Sequence, residues 1–162
     1  MNKYSTVVED CFWIQPSIFQ DHRGTFSEIY KSSKLDNLFK PVQTNYSSSK
    51  KGTIRGIHRT PYAKYVTCIK GSVYDVCVDL RPSSKTHLEH FGIELKADQL
   101  NSLYIPAFCG HAFLALEDCT LIYQQDHEYD AKLDQTYCYK NFDIQWRFEP
   151  TIISDKDCNV CK

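Results

Sequence analysis

The 162-residue sequence has no apolar run that approaches the roughly 20 residues needed for a membrane-spanning helix. Its first residues, Met1 to Ser5, also lack the apolar stretch of a secretory signal peptide. We therefore expect a protein with no membrane association and a cytoplasmic location.

An excess of charge of either sign is also missing. The chain carries 19 Lys and Arg against 20 Asp and Glu, a formal net charge of −1. Nucleic-acid-binding domains usually have a strongly basic face, so we expect no nucleic-acid partner. Repeats, linkers and low-complexity segments are absent as well. The length favours a single domain, residues 1–162, with a core of its own.

Eight cysteines are present, which is many for a cytosolic chain. A reducing compartment keeps thiols free, and a chain of this length can build a core without disulfides. Cys158 and Cys161 form a C-x-x-C pair near the end, but a zinc ribbon needs a second pair. The pair could bind a metal or take part in redox chemistry, or it could lie in a frayed tail without either role. We favour the frayed tail. Four cysteines in apolar runs are predicted core residues: Cys68, Cys77, Cys109 and Cys119.

Strand patterns dominate the chain. Short stretches rich in β-branched and aromatic residues recur at short intervals, which favours a sandwich or barrel. One helix of about two turns is predicted over Ser32 to Phe39, with Ser32 or Ser33 as its N-cap. Turns are predicted at 70–72, 96–99 and 117–118. The predicted strands are 42–48, 65–69, 73–80, 91–95, 102–105, 112–116 and 120–124.

The segment from Gly52 to His58 carries the clearest chemical signal. Histidine titrates nearest to neutral pH, so a histidine framed by glycines on a strand is a candidate proton carrier. Strand alternation predicts Arg55 and Ile57 on one face, with Gly56 and His58 on the other. A second histidine lies in the segment 105–113, and together the two segments suggest a site inside a β-barrel.

Asp75 lies in the most apolar predicted strand, on the same face as Val73 and Cys77. In a barrel this face would line the interior or a cavity. The alternative is a solvated outer face, and the strand alone does not decide between them.

Five segments in order resemble the dTDP-4-dehydrorhamnose 3,5-epimerase family of nucleotide-sugar epimerases. The resemblance implies an all-β fold, a cupin-type jelly-roll barrel with a few short helices. It further implies an isomerase that epimerises C3, C5 or both in a nucleotide-linked 4-keto-6-deoxy sugar, forms a homodimer and needs no cofactor. The matching segments are Phe19 to Glu28, Val42 to His58, Gly71 to Arg81, Ile105 to Phe113 and Ile153 to Asp157.

The resemblance also implies roles for single residues. His58 matches the base that removes a proton next to the keto group, and Asp157 matches its carboxylate partner. Lys64 is the nearest match to a lysine that steadies the enolate, and Tyr123 matches the residue that returns a proton. The implied substrate-binding residues are Arg23, Glu28, Gln43, Asn45, Arg55, His111 and Tyr129, with Asp75 near the cavity.

The chain departs from the family pattern directly after His58. The segment 59–63 is short, so Lys64 arrives early and Lys70 is a second candidate for the lysine role. Arg59 or Tyr62 could instead contact the sugar or the base.

Three alternatives to a 3,5-epimerase therefore stay open: a C3-only epimerase, a non-catalytic sugar-nucleotide-binding cupin, and a metal-dependent cupin oxidase or isomerase. Metal-binding cupins use a His-x-His pair with further ligands. His58 has no such neighbour, and His111 alone cannot complete a three-ligand set, so no metal is expected.

Overall fold

The computed structural model describes residues 1–162, and most of its regular secondary structure is β-strand. Seven predicted strands are confirmed, with ends that differ by two residues at most. In chain order the strands are β1 (Asn2–Ser5), β2 (Phe12–Gln15), β3 (Ile18–Asp21), β4 (Gly24–Ser27), β5 (Gln43–Ser49), β6 (Thr53–Arg59), β7 (Lys64–Lys70), β8 (Ser72–Val78), β9 (His90–Lys96), β10 (Ser102–Ile105), β11 (Gly110–Ala115), β12 (Cys119–Gln125), β13 (Gln135–Thr136) and β14 (Ile152–Ile153).

The strands form two facing sheets. The first has the order β1-β2-β10-β7-β12-β5, and the second has the order β13-β6-β11-β8-β9. Pairing is antiparallel, except that β14 lies parallel to β6. The chain crosses repeatedly from one sheet to the other, as in a jelly roll. The β3–β4 hairpin pairs with neither sheet.

Helical structure is limited to four short elements. The helix predicted over 32–39 is only a 3₁₀ helix, Ser32–Leu35, and neither serine caps it, because Lys31 occupies the N-cap position. Asp36 and Asn37 both have positive φ, which ends the helix there. The others are the 3₁₀ helices Ala131–Leu133 and Tyr139–Asn141 and the α-helix α1 (Asp155–Asn159). No helix is long and apolar enough to span a membrane.

Three hydrophobic clusters fill the fold, and they explain why β7 and β8 read as nearly continuous apolar runs. The central cluster lies between the sheets and includes Val66 and Leu121. The outer face of the second sheet is covered by the C-terminal region, with Ile144 buried there. The segment with Leu35 and Phe39 covers the outer face of the first sheet. The central strands of both sheets are therefore buried on both faces, whereas the outer face of the edge strand β5 is exposed.

The faces predicted for β6 are wrong. Ile54 and Ile57 both pack in the cluster outside the second sheet, whereas Arg55 and His58 both line the interior cavity. Simple alternation would have put Ile57 with Arg55.

A bulge at Gly56 causes this change. The pairing with β11 shifts by one residue, so that Gly56 and Ile57 together oppose Ala112. Gly56 has φ of 113°, and a Cβ at this position would collide with the carbonyl oxygen of His111. Glycine is therefore required here, and the bulge turns both polar side chains of β6 to the same side.

The expectation that every thiol is free is wrong for one pair. Cys161 forms a disulfide with Cys138, not with its near neighbour Cys158, because α1 folds the tail back onto the second sheet. The tail is thus a tethered helix and not a frayed end. The four cysteines predicted in the core are buried and unpaired, which confirms that prediction.

Candidate active site

A cavity of about 450 Å³ opens between the two sheets. Both sheets contribute side chains to it, since β6 and β11 belong to the second sheet and β7 and β12 to the first. All four residues expected to be catalytic line this cavity: His58, Lys64, Tyr123 and Asp157. Three of the expected binding residues join them: Arg55, His111 and Tyr129.

His58 is held by a carboxylate from the far end of the chain. Its Nε2 lies 2.7 Å from Oδ1 of Asp157, and the Asp157 side chain is only 2% exposed. Asp157 sits in α1, where the side chain of Ser154 caps the helix by accepting a bond from the Asp157 N–H. When Nε2 donates to Asp157, Nδ1 of His58 carries the free lone pair.

The second carboxylate oxygen of Asp157 is also used. It accepts a 3.3 Å hydrogen bond from the N–H of Gly56, inside the bulge. Burial alone would raise the pKa of Asp157, but the bonds from His58 and Gly56 outweigh it and hold the pKa below its usual value. Asp157 is therefore a carboxylate at neutral pH, suited to orient an imidazole and to stabilise its protonated form.

A second histidine–carboxylate pair lies beside the first. His111 faces His58 across the β6–β11 ladder, and its Nε2 lies 2.8 Å from Oδ1 of Asp75. Asp75 is fully buried, so the interior location is correct and the solvated face is excluded. Its other oxygen, Oδ2, has no partner within the protein.

Lys64 begins β7 and is buried at the cavity wall. Burial lowers its pKa to about 8, against the opposing effect of the carboxylates Asp134 and Asp75. Although the short segment 59–63 places Lys64 nearer to His58 in sequence than the family pattern does, its side chain still lines the cavity. The second candidate, Lys70, lies exposed at the opposite end of the same strand.

Tyr123 lies on β12, in the sheet opposite His58. Burial raises its pKa, although the nearby Arg55 guanidinium acts in the other direction. The phenol therefore keeps its proton at neutral pH. Tyr129, in the loop that follows β12, lines the same cavity but is mostly exposed.

Polar side chains on the inward face of β5 support this part of the site. Gln43 donates to Asn45 at 2.7 Å and accepts from the backbone N–H of Tyr129 at 2.8 Å. Asn45 lies opposite Tyr123 in the β5–β12 ladder. Arg55 donates one hydrogen bond to the Ser49 hydroxyl and one to the Ser48 carbonyl. Its other N–H groups have no partner within the protein and are free to bind a ligand.

Arg23 and Glu28 lie outside this cavity. Arg23 is on the β3–β4 hairpin, with its side chain 79% exposed and paired only with Asp21. Glu28 follows the hairpin and pairs with Lys31 at 3.0 Å. Within one chain, the structure does not bring either residue to the other expected binding residues.

Two charged residues of the cavity were not predicted. Lys156 donates to Asp134 at 2.8 Å, and both line the cavity. Lys156 directly precedes Asp157, and that adjacency was a usable signal. Asp134 follows a 3₁₀ helix in a loop, and no sequence pattern marks it. Its Oδ1 is buried without a partner.

The short segment after His58 does not reach the cavity. Arg59 donates to Gln135 at 2.6 Å and stacks over the ring of Phe108. Tyr62 is buried and stacks on His127, with ring centres 5.4 Å apart. Neither lines the site. Nowhere in the chain do three or more His, Cys, Asp or Glu side chains form a group placed to hold a metal ion.

Comparison with known proteins agrees with this arrangement. Residues 5–162 match the sequence model of dTDP-4-dehydrorhamnose 3,5-epimerase. The chain is 34% identical to the enzyme of that name from Shigella flexneri, over 98% of this chain and 94% of the relative.

Solved structures extend the agreement to the fold. The crystal structure of dTDP-4-dehydrorhamnose 3,5-epimerase from Elizabethkingia anophelis NUHP1 has a TM-score of 0.92 and 33% identity, over 98% of this chain and 94% of the other. A 3'-monoepimerase from Streptomyces bikiniensis, in complex with dTDP-quinovose, has a TM-score of 0.86 and 31% identity, over 94% and 83%. These neighbours confirm the expected cupin-type jelly roll. The matches to the sequence model, to the relative from Shigella flexneri and to the solved structures each cover nearly the whole chain. The chain therefore belongs to the dTDP-4-dehydrorhamnose 3,5-epimerase family of sugar epimerases.

Proposed function

We propose that this protein epimerises C3, or both C3 and C5, of a nucleotide-linked 4-keto-6-deoxy sugar by proton abstraction and reprotonation. The observation that carries the proposal is the 2.7 Å contact between His58 and Asp157, in a cavity that Lys64 and Tyr123 also line. Epimerisation next to a ketone needs a base, a group that stabilises the enolate and a proton donor on the opposite face, and we assign these roles to His58, Lys64 and Tyr123.

His58 is the base. Its Nδ1 takes the proton from the carbon next to the keto group, while Nε2 stays bonded to Asp157. The buried carboxylate fixes the ring orientation and stabilises the imidazolium that forms. Asp157 does this at neutral pH because its pKa is held low by the bonds from His58 and Gly56 despite its burial.

Lys64 stabilises the enolate. A carbon acid next to a ketone is too weak for a neutral imidazole unless the developing oxyanion is stabilised, and this electrostatic contribution is usually the largest. With a pKa of about 8, Lys64 is mostly protonated at pH 7 and brings a poorly solvated ammonium to the keto oxygen.

Tyr123 returns a proton on the opposite face of the sugar ring. Inversion requires a donor across from the base, since a proton returned by His58 restores the starting sugar. Tyr123 comes from the opposite sheet, and burial raises its pKa, so its hydroxyl is protonated and ready to donate.

Arg55 binds the diphosphate of the nucleotide. Its guanidinium is exposed at the cavity and has unused donors, and the planar fork pairs two phosphate oxygens at once. Gln43, Asn45, His111 and Tyr129 complete the substrate contacts.

We further propose a homodimer in which Arg23 and Glu28 complete the nucleotide site of a second copy. In support, the β3–β4 hairpin pairs with neither sheet and exposes the rings of Phe19 and Phe26. An Arg23→Ala chain mixed with a His58→Ala chain should regain activity, because each mixed dimer then holds one intact site. Light scattering that shows a monomer at working concentration would contradict this arrangement.

We also propose a cytoplasmic location. Six of the eight cysteines are unpaired, as is usual in a reducing compartment, where a disulfide such as Cys138–Cys161 is typically redox-responsive.

The reaction itself is tested by incubating the protein with a dTDP-4-keto-6-deoxyhexose in D₂O. NMR should show deuterium entering at C3, and at C5 if both carbons react. His58→Ala should show no exchange, and His87→Ala, at an exposed histidine outside the cavity, should behave as wild type.

Exchange at C3 alone would identify a C3-only epimerase, the second candidate, which the similarity to the Streptomyces bikiniensis 3'-monoepimerase supports. Binding of the nucleotide sugar without any exchange would overturn the enzymatic proposal and indicate a binding module.

A further inference from the structure

The Cys138–Cys161 disulfide lies within a few residues of the catalytic pair on both sides. Cys161 is four residues beyond Asp157, just after α1. Cys138 directly follows Tyr137, which exchanges two backbone hydrogen bonds with Ile57, the neighbour of His58. One sulfur is therefore tied to the strand of the base, and the other to the helix of its carboxylate.

The helix α1 depends on such ties. It has only five residues, and isolated helices of this length are not stable in water. On its N-terminal side it is anchored by the two-residue strand β14 and by the Ser154 cap. On its C-terminal side the covalent anchor is the disulfide at Cys161, which also packs against the cluster outside the second sheet.

The chain segments that lead to the two cysteines both pair with β6. β13, just before Cys138, pairs with β6 so that Thr136 opposes His58, and β14, which precedes α1 and Cys161, runs parallel to the beginning of β6. The disulfide thus closes a loop of 23 positions in sequence, and both ends of that loop are held against the strand that carries the base. Opening the bond frees the C-terminal end of α1 without breaking any contact of His58 with its own strand.

We propose that the Cys138–Cys161 disulfide is a positioning element that holds Asp157 on His58, so that a dithiol reductant slows the reaction by releasing α1. The proposal rests on the proposed function, since it assigns the disulfide a role in that same proton abstraction.

The redox step balances as thiol–disulfide exchange. A thiolate of the reductant attacks the sulfur of Cys161, which is partly exposed, and the Cys138 sulfur leaves as a thiolate and takes up a proton. The second thiol of the reductant then displaces Cys161. Two electrons pass to the protein, which ends with two thiols, and the reductant ends as a disulfide.

The rest of the chain makes this bond a selective target. Five free cysteines are buried, and only Cys158 is exposed. A dithiol has nothing to reduce in a free thiol, and burial, which raises the pKa of Cys68 to about 12 and of Cys119 to about 11, keeps these two thiols from attacking the disulfide themselves. A mild dithiol therefore changes one covalent bond and leaves the barrel core untouched.

The test compares oxidised wild type, wild type reduced with a dithiol, and the double variant C138S/C161S. We expect reduction to lower kcat about 10- to 100-fold, as a displacement near 1 Å of a catalytic group does, with KM little changed. Cys158→Ser is the matched control, and it should keep the oxidised rate. Circular dichroism checks that each sample is folded.

The decisive arm uses Asp157→Asn. If the disulfide acts through Asp157, reducing this variant should give no further loss in its residual rate, because the two changes then share one effect. An equal loss in this background would overturn the proposal and indicate a general structural role. If the double variant does not fold, the loss of the downfield proton signal of the His58–Asp157 bond in reduced wild type supplies the same test.

Equal rates for oxidised and reduced wild type would also overturn the proposal while leaving the proposed function intact. No exchange by the oxidised enzyme would instead contradict the proposed function, so the two failures are distinguishable.

Discussion

Asp157 contacts His58 across 99 positions of sequence, with Nε2 and Oδ1 only 2.7 Å apart. The contact requires the tail to fold back along β6, where β14 pairs with the start of the strand and α1 then places the carboxylate over its middle. The orientation of the base therefore depends on an element outside the barrel sheets.

Replacing Asp157 with Asn keeps the shape of the side chain but offers His58 an amide in place of a charge. The imidazolium formed during the reaction then loses its stabilising partner, and the ring tautomer is no longer fixed. By analogy with carboxylate-to-amide changes in other histidine–aspartate pairs, we expect kcat to fall about 10³- to 10⁴-fold. Steady-state kinetics that show an unchanged kcat would exclude Asp157 from the reaction.

The Tyr123→Phe variant should separate proton removal from inversion. His58 and Lys64 remain, so the enolate still forms and the substrate still exchanges its proton with solvent. Without the hydroxyl, however, no donor lies on the opposite face. We expect NMR in D₂O to show deuterium entering with retained configuration and little epimer. Full epimerisation by this variant would assign the donor role to another residue.

Lys64 should set the alkaline side of the pH profile of kcat/KM, which reports groups of the free enzyme. Its ammonium form is the active one, and burial lowers its pKa from 10.5 to about 8, so kcat/KM should decline as the pH rises through about 8. Lys64→Arg, which stays charged, should remove this decline at a reduced rate. A profile of wild type that stays flat to pH 10 would contradict the assignment.

The same lysine should weaken the fold at pH 7. Because its folded pKa lies below the unfolded value, the unfolded chain binds more protons between about pH 8 and 10.5, and stability rises with pH across that window. Below about pH 8 the loss of stability caused by burying the Lys64 ammonium no longer changes with pH. Lys64→Met should therefore raise the free energy of unfolding at pH 7 by about 2–3 kcal/mol while abolishing activity, measured by urea denaturation. A variant less stable than wild type would show that the ammonium is well compensated.

Gly56→Ala should disrupt the bulge that turns Arg55 and His58 to the same side. The added methyl group meets the carbonyl oxygen of His111 and the Cα of Ala112, on top of an unfavourable φ of 113°. Gly24→Ala is the matched control, since Gly24 has a φ of 132° but nothing near the new Cβ. We expect Gly56→Ala to cost about 2 kcal/mol more than the control and to lose activity.

The strands were predictable because their β-branched and aromatic runs are separated by short turns. The cavity residues His58, Lys64, Tyr123 and Asp157 were predictable as a group from ordered motifs, since the fold brings distant segments to one cavity. The helix over 32–39 was overestimated, because periodicity does not reveal that Asp36 adopts positive φ.

Three features escaped prediction for physical reasons. Alternation along β6 failed because a bulge depends on the partner strand, which a single segment does not specify. The bond between Cys138 and Cys161 was missed because α1 brings together cysteines whose spacing suggests no pair. Asp134 lies in a loop, where neither period nor composition marks a cavity residue.

Release of deuterium from a substrate labelled at C3 tests most directly whether His58 removes the proton. The measurement compares wild type with His58→Asn, at concentrations where calorimetry shows both proteins saturated with the nucleotide sugar. We predict rapid release by wild type and none above background by His58→Asn. Release by the variant at the wild-type rate would contradict the role of His58 as the base.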